Sequence, residues 1–478
     1  MSPASPVLER ASPSQNAQQG VLIPPESRHA VSTFQAGVTV FKAVVGPGTL
    51  FLPSAVKNAG LVTALCVSLG AGVVSTWCML LVLESADILR RKNRDIKTLG
   101  DIGFEVYGPM GQLVVDIAVV VSQLGFCTAY CVFVAENVQA IVFEAVGGMV
   151  GSDEKRKCSL SGFLASDMLV YYIILMCIPL LIPVTWLRQL KYFAVTNTLA
   201  SLLVVVSVLF MLIALVKRYV EVGPEGGELE LYNLHGTLVY VGVAMYAFEG
   251  VGVLLPVQES MAEPHRMPEV VCWTLSLACL LQVVFASLAY LNYRQHTASI
   301  VTISLADGHI MGGMGAVIAV QVAWVVEVLL TFPLQLFPAV RILERRCSVA
   351  ERNSGMSWTK NLMRAGLVLL CMFISMFGYT SVDNLVALIG ALGCVPLCII
   401  YPALFHYKVK HGDVREFSCP EVANGSVESS LLRRESCGES GDLAIVALGG
   451  VGSALAAVLA VGSWMSADFH FQSCVMRP

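Results

Sequence analysis

The sequence predicts an all-α integral membrane protein with eleven transmembrane helices, and three observations support this prediction. Hydrophobic residues make up 56% of the 478 residues and charged residues only 13%, whereas soluble domains carry about 25% charged residues. Apolar runs of about 20 residues, each long enough to cross a bilayer as a helix, recur along the chain. Two of these runs contain a glycine pair followed by a proline at matching positions.

Each predicted span is an apolar run bounded by polar or turn-forming residues. The eleven spans cover residues 35–58, 61–85, 112–143, 166–186, 192–216, 235–258, 269–292, 311–341, 363–382, 384–406 and 442–466. Most Lys and Arg residues of the connecting segments fall on the side of the N-terminus, notably in the clusters 90–94 and 341–364. The positive-inside rule therefore predicts a cytosolic N-terminus and a C-terminus on the opposite side.

Composition divides the chain into four parts. Residues 1–32 are rich in Ser, Pro and Gln and are predicted to be a disordered cytosolic segment. The other three parts are a ten-helix core at 33–407 with inverted repeats at about 33–216 and 235–407, a polar cytosolic loop at 408–441, and the eleventh helix with a short non-cytosolic tail at 442–478.

Two helix-breaking motifs predict the internal repeat. VVGPGTLFLP (44–53) lies in the first span, and FEGVGVLLP (248–256) lies in the sixth. Proline removes a backbone donor and glycine weakens a helix, so both motifs predict discontinuous helices. Breaks in spans one and six are what two five-helix repeats of opposite orientation produce, and transporters bind substrate where such helices meet. The alternative is a pair of glycine-rich packing faces with proline kinks.

The two breaks together suit a zwitterion. The positive start of a second half-helix, around Gly48, Thr49 and Leu50, is predicted to hold a carboxylate through free N–H groups. Carbonyl groups from Tyr246 to Glu249 are predicted to hold an ammonium group. This pattern favours an amino acid as the class of ligand without identifying one.

Several segments resemble the amino acid/auxin permease family of the amino acid–polyamine–cation superfamily, in its proton-coupled and vacuolar transporter branch. The resembling segments are VVGPGTLFLPSAVKNAG (44–60), VSQLGFCTAYCVFVAENVQ (121–139), AFEGVGVLLPVQESM (247–261), TFPLQLFPAVRILE (331–344) and NLVALIGALGCVPLCIIYPALFH (384–406). The resemblance implies a LeuT-like fold with eleven spans and secondary transport of amino acids by alternating access. It also implies a substrate site that is lined by Gly46, Gly48, Thr49, Phe248, Glu249, Gly250 and Gly252.

Ionisable residues inside spans are costly and are therefore candidates for function. Glu249 adjoins the second break and Glu327 lies in span eight, so both are candidates for proton coupling; each is alternatively a structural carboxylate. Asp116 and Glu136 lie toward the ends of span three, where solvation by water is expected. Lys42 is expected to extend to the cytosolic face.

The sequence favours a secondary active transporter of amino acids, small and neutral ones in particular, that is driven by a proton gradient. Sodium coupling and an amino acid sensor without net flux are the alternatives. An intramembrane enzyme is disfavoured because the chain has no His-Glu-x-x-His motif and no Walker loop, and we predict no metal site or cofactor. The predicted partners are the amino acid and the bilayer, without nucleic acid, in the plasma membrane or in an acidic organelle of the vacuole or lysosome type.

Overall fold

The computed structural model describes residues 31–149, 167–186, 193–225, 227–305, 313–347, 358–411 and 439–475. These residues are folded almost entirely into helices. The helices are α1 (Thr33–Val44), α2 (Gly48–Ala59), α3 (Leu61–Arg91), α4 (Leu99–Tyr107), α5 (Pro109–Met149), α6 (Asp167–Met176), α7 (Ile178–Thr185), α8 (Phe193–Glu221), α9 (Leu234–Ala247), α10 (Val251–Ser260), α11 (Met267–Tyr293), α12 (Val301–Ser304), α13 (Gly313–Arg346), α14 (Trp358–Gly378), α15 (Val382–Ile389), α16 (Tyr401–Lys410) and α17 (Glu439–Val475).

Within the described residues, nine helical stretches are long and apolar enough to cross a membrane. The number is ten if α1 and α2, which meet at an angle of 45°, form one broken span. One of the nine stretches, 358–410, is interrupted by a short 3-10 turn at Tyr379–Ser381, which separates α14 from α15. The protein is therefore an all-helical membrane protein, and its count of eleven spans stays a prediction.

The N-terminal boundary of the folded core lies slightly earlier than predicted. The Val31 N–H donates to the Ser260 carbonyl at 2.8 Å, and the Ala262 N–H donates back to the Val31 carbonyl at 3.0 Å. Ser32 then caps α1 in a reciprocal capping box with Gln35. The rest of the predicted segment 1–32, and residues 412–438 of the predicted loop 408–441, lie outside the described residues.

At the centre of the protein α2 packs on both α9 and α11, while α5 packs along α13. Close backbone approach is visible where α9 meets α15. A Cβ atom on Gly242 would collide with the Ala387 carbonyl, and one on Gly390 would collide with the Gly242 carbonyl. Two π-helical segments, Gly390–Cys394 and Pro396–Ile400, continue the chain from α15 into α16 at this contact.

Ion pairs link helices at the end of the bundle where α5 begins and α13 ends. Asp116 is only 5% exposed, and both Arg345 and Arg346 donate to its carboxylate, at 2.8 and 2.7 Å. Glu344 and Arg364 form a second pair at 2.9 Å, and both side chains are buried. The expectation that Asp116 is a solvated helix end is therefore wrong, because arginines from another helix cover it.

We expect Gly242→Ala to lower the melting temperature of the purified protein by several degrees, because the added methyl group meets a backbone carbonyl that cannot move aside. Overpacking of this kind costs about 1–3 kcal/mol. Gly366→Ala in α14 is the matched control, since a Cβ atom there has no neighbour within 4 Å. Equal melting temperatures for the two variants would contradict the close approach of α9 and α15.

Candidate functional site

The two helix breaks lie against each other in the middle of the bundle. They comprise residues 45–47, between α1 and α2, and residues 248–250, between α9 and α10. A Cβ atom on Gly48 would lie 3.1 Å from the Tyr246 ring, and one on Gly250 would lie 3.0 Å from Val44 Cγ2. Glycine at these two positions allows each break to contact the other.

The second half-helices have the same internal design. Pro53 is the sixth residue of α2 and Pro256 is the sixth residue of α10. A proline lacks the N–H that would bond the carbonyl four residues earlier. The carbonyls of Thr49 and Gly252 therefore lack their usual helical partner, and both lie at the start of a second half-helix.

The backbone N–H groups at the start of α2 are not all available to a ligand. The Thr49 N–H donates to the Gly46 carbonyl and the Leu50 N–H donates to the Pro47 carbonyl, both at 3.0 Å. The prediction that N–H groups of Thr49 and Leu50 hold a carboxylate is therefore wrong, since a tight turn uses them. In the part of the chain that the structure describes, the Gly48 N–H donates to no backbone carbonyl.

At the second break, Glu249 and Phe248 point in different directions. Phe248 is fully buried and faces α3, where a Cβ atom on Gly72 would lie 3.7 Å from its ring. Glu249 is half-buried, and its carboxylate lies beside the backbone N–H of Gly252. Glu249 thus lines open space and also caps α10, whereas Phe248 belongs to the packing behind the break.

Glu327 lies in the middle of α13 and is 2% exposed. The Thr331 hydroxyl donates to the Glu327 backbone carbonyl at 2.9 Å. Lys42 of α1 interacts electrostatically with Glu327, and Tyr130 of α5 interacts with both Glu327 and Glu249. Lys42 is half-buried in the interior, so its predicted extension to the cytosolic face is wrong.

Sequence reasoning missed Gln282, which contacts both breaks. This residue of α11 is fully buried. Its Nε2 atom lies 3.1 Å from the Val44 carbonyl oxygen, 3.3 Å from the Ala247 carbonyl oxygen and 3.4 Å from Thr49 Oγ1. An amide in the middle of the apolar run 269–292 was the signal that could have found it.

Four buried polar atoms in this region have no hydrogen-bond partner among the described residues. They are Tyr246 Oη, Gln282 Oε1, Glu327 Oε2 and Trp324 Nε1. Buried polar groups without a partner are rare in native proteins, so such atoms point to water or a ligand. A concave interior with a few convergent polar groups is the usual form of a small-molecule site.

The two sides of the site differ in exposure. Every residue of α2 from Gly48 to Val56 is buried. By contrast, α1 exposes Gln35, Thr39 and Ala43 on one face that leads to half-buried Gly46. In α10, Gly252 and Pro256 are also exposed. Beyond the breaks α2 is therefore buried, whereas α1 and α10 each keep an exposed face.

A polar cluster closes the far side. The Ser54 hydroxyl donates to Asp383 Oδ2 at 2.6 Å, and Asn58 Nδ2 donates to the same oxygen at 3.4 Å. Lys57 Nζ donates to the Thr297 carbonyl at 2.8 Å. Glu136 is half-buried and interacts electrostatically with Asp383, and its solvation by water stays a prediction.

Comparisons with known proteins agree with this architecture. The model of the family described as transmembrane amino acid transporter protein matches residues 29–418. The crystal structure of MhsT in complex with L-phenylalanine superposes with a TM-score of 0.56 at 14% identity, covering 91% of this chain and 100% of MhsT. At that identity the likeness shows the fold alone.

Three relatives extend the comparison. Vacuolar amino acid transporter 4 of Saccharomyces cerevisiae is 26% identical over 409 residues, which cover 80% of this chain and 54% of that protein. Vacuolar amino acid transporter 3 of Schizosaccharomyces pombe is 29% identical over 383 residues, which cover 79% of this chain and 53% of that protein. Amino acid transporter AVT3C of Arabidopsis thaliana is 29% identical over 394 residues, covering 79% and 83%. The chain spans about half the length of the two yeast relatives.

The fold and the paired breaks define an all-helical, multi-pass membrane protein with a LeuT-like fold neighbour. The chain belongs to the transmembrane amino acid transporter protein family. This confirms the resemblance to the amino acid/auxin permease family, and the relatives carry the names of transporters, a non-enzymatic function.

We expect Ala43→Cys, on the exposed face of α1, to react with a membrane-impermeant thiol reagent in proteoliposomes. Ala55→Cys in buried α2 is the matched control and should stay unreacted. Labelling is measured above the wild-type background, since Cys66, Cys272 and Cys347 are exposed. Failure of Ala43→Cys to react in either membrane orientation would mean that lipid rather than water covers this face.

Proposed function

We propose that the protein is a secondary active transporter of small neutral amino acids, which it binds between the two helix breaks and carries by alternating access. The observation that supports this most is the convergence of two broken helices on buried polar atoms without protein partners. Family membership supports the class of substrate.

The breaks offer complementary charges to a zwitterion. The Gly48 N–H, at the positive start of α2, suits a carboxylate. The carbonyls of Thr49 and Gly252, freed by the two prolines, suit an ammonium group. Tyr246, Glu249 and Gly46 are proposed to line the site. The Tyr246 hydroxyl has no hydrogen-bond partner among the described residues, and Glu249 and Gly46 are only half-buried.

Proton coupling is proposed to run through Glu249 and Glu327. Both carboxylates lie inside the bundle, and Tyr130 interacts electrostatically with each. Intramembrane carboxylates commonly serve as proton relays in transporters. The role of Glu249 as a cap for Gly252 is compatible with this, because protonation would weaken the cap and loosen the start of α10.

The exposure of α1 and α10, with α2 buried, suits an inward-facing or occluded state if the N-terminus is cytosolic. The arginines at the ends of α3 and α13 support that orientation through the positive-inside rule. We further propose a vacuolar or similar acidic-organelle membrane, since several relatives are named as vacuolar transporters. In such a membrane, protons that flow from the acidic lumen to the cytosol would drive amino acids in the same direction.

The purified protein in liposomes should take up labelled small neutral amino acids when a pH gradient is imposed without sodium. We expect Glu249→Gln to abolish the pH-driven part of uptake, because an amide cannot carry the proton. Glu259→Gln, at an exposed position of α10, is the matched control and should keep the pH-driven uptake.

Three results would revise the proposal. Fully pH-dependent uptake by Glu249→Gln would remove Glu249 from coupling, and the same measurement on Glu327→Gln would then decide the role of Glu327. Uptake that needs sodium would favour the alternative of sodium coupling. Amino acid binding without any flux would favour a sensor.

The orientation has a separate check. Asn424-Gly425-Ser426 forms a glycosylation sequon in the predicted loop 408–441. With a cytosolic N-terminus this loop is cytosolic, so we expect no change of electrophoretic mobility after glycosidase treatment of protein expressed in eukaryotic cells. A mobility shift that is lost in Asn424→Gln would reverse the orientation.

A further inference from the structure

The Gln282 amide nitrogen lies at a point where oxygens from three helices converge. The acceptors are the Val44 carbonyl of α1, the Ala247 carbonyl of α9 and the Thr49 hydroxyl of α2, at 3.1 to 3.4 Å from Nε2. All three acceptor residues are buried to 2% exposure or less, as is Gln282 itself.

The identity of the central atom follows from its neighbours. Main-chain carbonyls only accept hydrogen bonds, so two of them at this distance require the NH₂ group of the amide rather than its oxygen. Gln282 Oε1 is buried and has no partner among the described residues.

These oxygens form an environment that attracts positive charge. Val44 and Ala247 are the last residues of α1 and α9, so their carbonyls belong to the unpaired set at a helix C-terminus and carry its negative partial charge. In transporters with broken helices, such carbonyls commonly coordinate the driving cation. Here an uncharged N–H donor lies where a cation would lie.

We propose that the Gln282 amide is a built-in substitute for a bound monovalent cation: it holds the ends of α1 and α9 together, keeps sodium out of this position, and its removal opens a sodium site. The role of this substitution in a transport cycle rests on the proposed transport function. The sodium site itself is a property of the oxygens around Nε2.

The test measures sodium binding rather than transport. The melting temperature of the full chain is recorded in detergent at constant ionic strength while sodium chloride replaces choline chloride. A ligand that binds only the folded state raises the melting temperature with concentration. We expect no sodium-specific shift for the wild type and a saturable rise for both Gln282→Ala and Gln282→Glu, with potassium less effective.

Gln282→Glu should respond more strongly, because its carboxylate would oppose three protein oxygens unless a cation lies between them. Gln282→Leu fills the same space without room for an ion and should show no response. Gln321→Ala and Gln321→Glu are the matched controls. Gln321 is also a fully buried glutamine, but its Nε2 donates to one carbonyl only, that of Thr302 at 3.1 Å.

Every outcome decides the proposal. A saturable sodium shift in the wild type overturns it, as does a folded Gln282→Ala and Gln282→Glu pair without any sodium response. If these variants fold poorly, recovery of monodisperse protein in sodium but not in choline supports the proposal, and equal loss in both salts overturns it. Failure of the wild type to transport amino acids would refute the proposed function and leave this result unchanged.

Discussion

The backbone groups left at two helix breaks inside the bundle are the constraint on which the rest of the structure depends. In hydrocarbon an unpaired N–H or carbonyl costs on the order of several kcal/mol, so a break survives only where the protein supplies partners. The structure supplies them from three directions. A tight turn uses the N–H groups of Thr49 and Leu50, the Glu249 carboxylate covers the start of α10, and Gln282 binds the last carbonyls of α1 and α9. The groups that remain unpaired include side-chain atoms of Tyr246 and Gln282 beside the breaks, which suits a site that binds a small polar molecule.

The glycines of the two motifs divide into two roles that the sequence could not separate. Gly48 and Gly250 allow the breaks to touch, whereas Gly46 and Gly252 border open space. Contact between the breaks means that a movement of α1 must also move α9 or α10. A bound molecule that bridges the breaks would change the same contact, and this is the physical link that alternating access requires between binding and helix movement.

Much of the fold could be predicted because its signals are local. Most predicted spans fall on a helix or helix pair whose ends differ from the prediction by six residues or fewer, since hydrophobic runs, glycine and proline act on the segment that contains them. The predictions that were wrong concern side chains that contact another helix. The sequence predicts that water solvates Asp116, but arginines of α13 cover its carboxylate. It predicts that Lys42 extends to the cytosolic face, but this side chain interacts electrostatically with Glu327 inside the bundle. The family resemblance predicts Phe248 as a lining residue, but it does not say which way a side chain turns after a helix is broken, and the ring faces α3. Gln282 could not be predicted because an amide inside an apolar span has its partners on other helices, far away along the sequence.

The neutral amide at the breaks also bears on how a gradient could drive this protein. A bound sodium ion would bring both coordination for the helix ends and a charge that crosses the membrane with the substrate. Gln282 provides the coordination but carries no charge and never leaves, so it cannot draw energy from a gradient.

If the amide replaces an ion in this position, the driving charge must enter elsewhere, as a proton on a carboxylate that faces the open side. Glu249 meets that requirement in position: it is half-buried beside exposed Gly252 and adjoins the contact between the breaks. Glu327 is buried more deeply, and Lys42 interacts with it electrostatically. Of the two carboxylates in the proposed coupling, Glu249 is therefore the one that a proton from the exposed side would reach first.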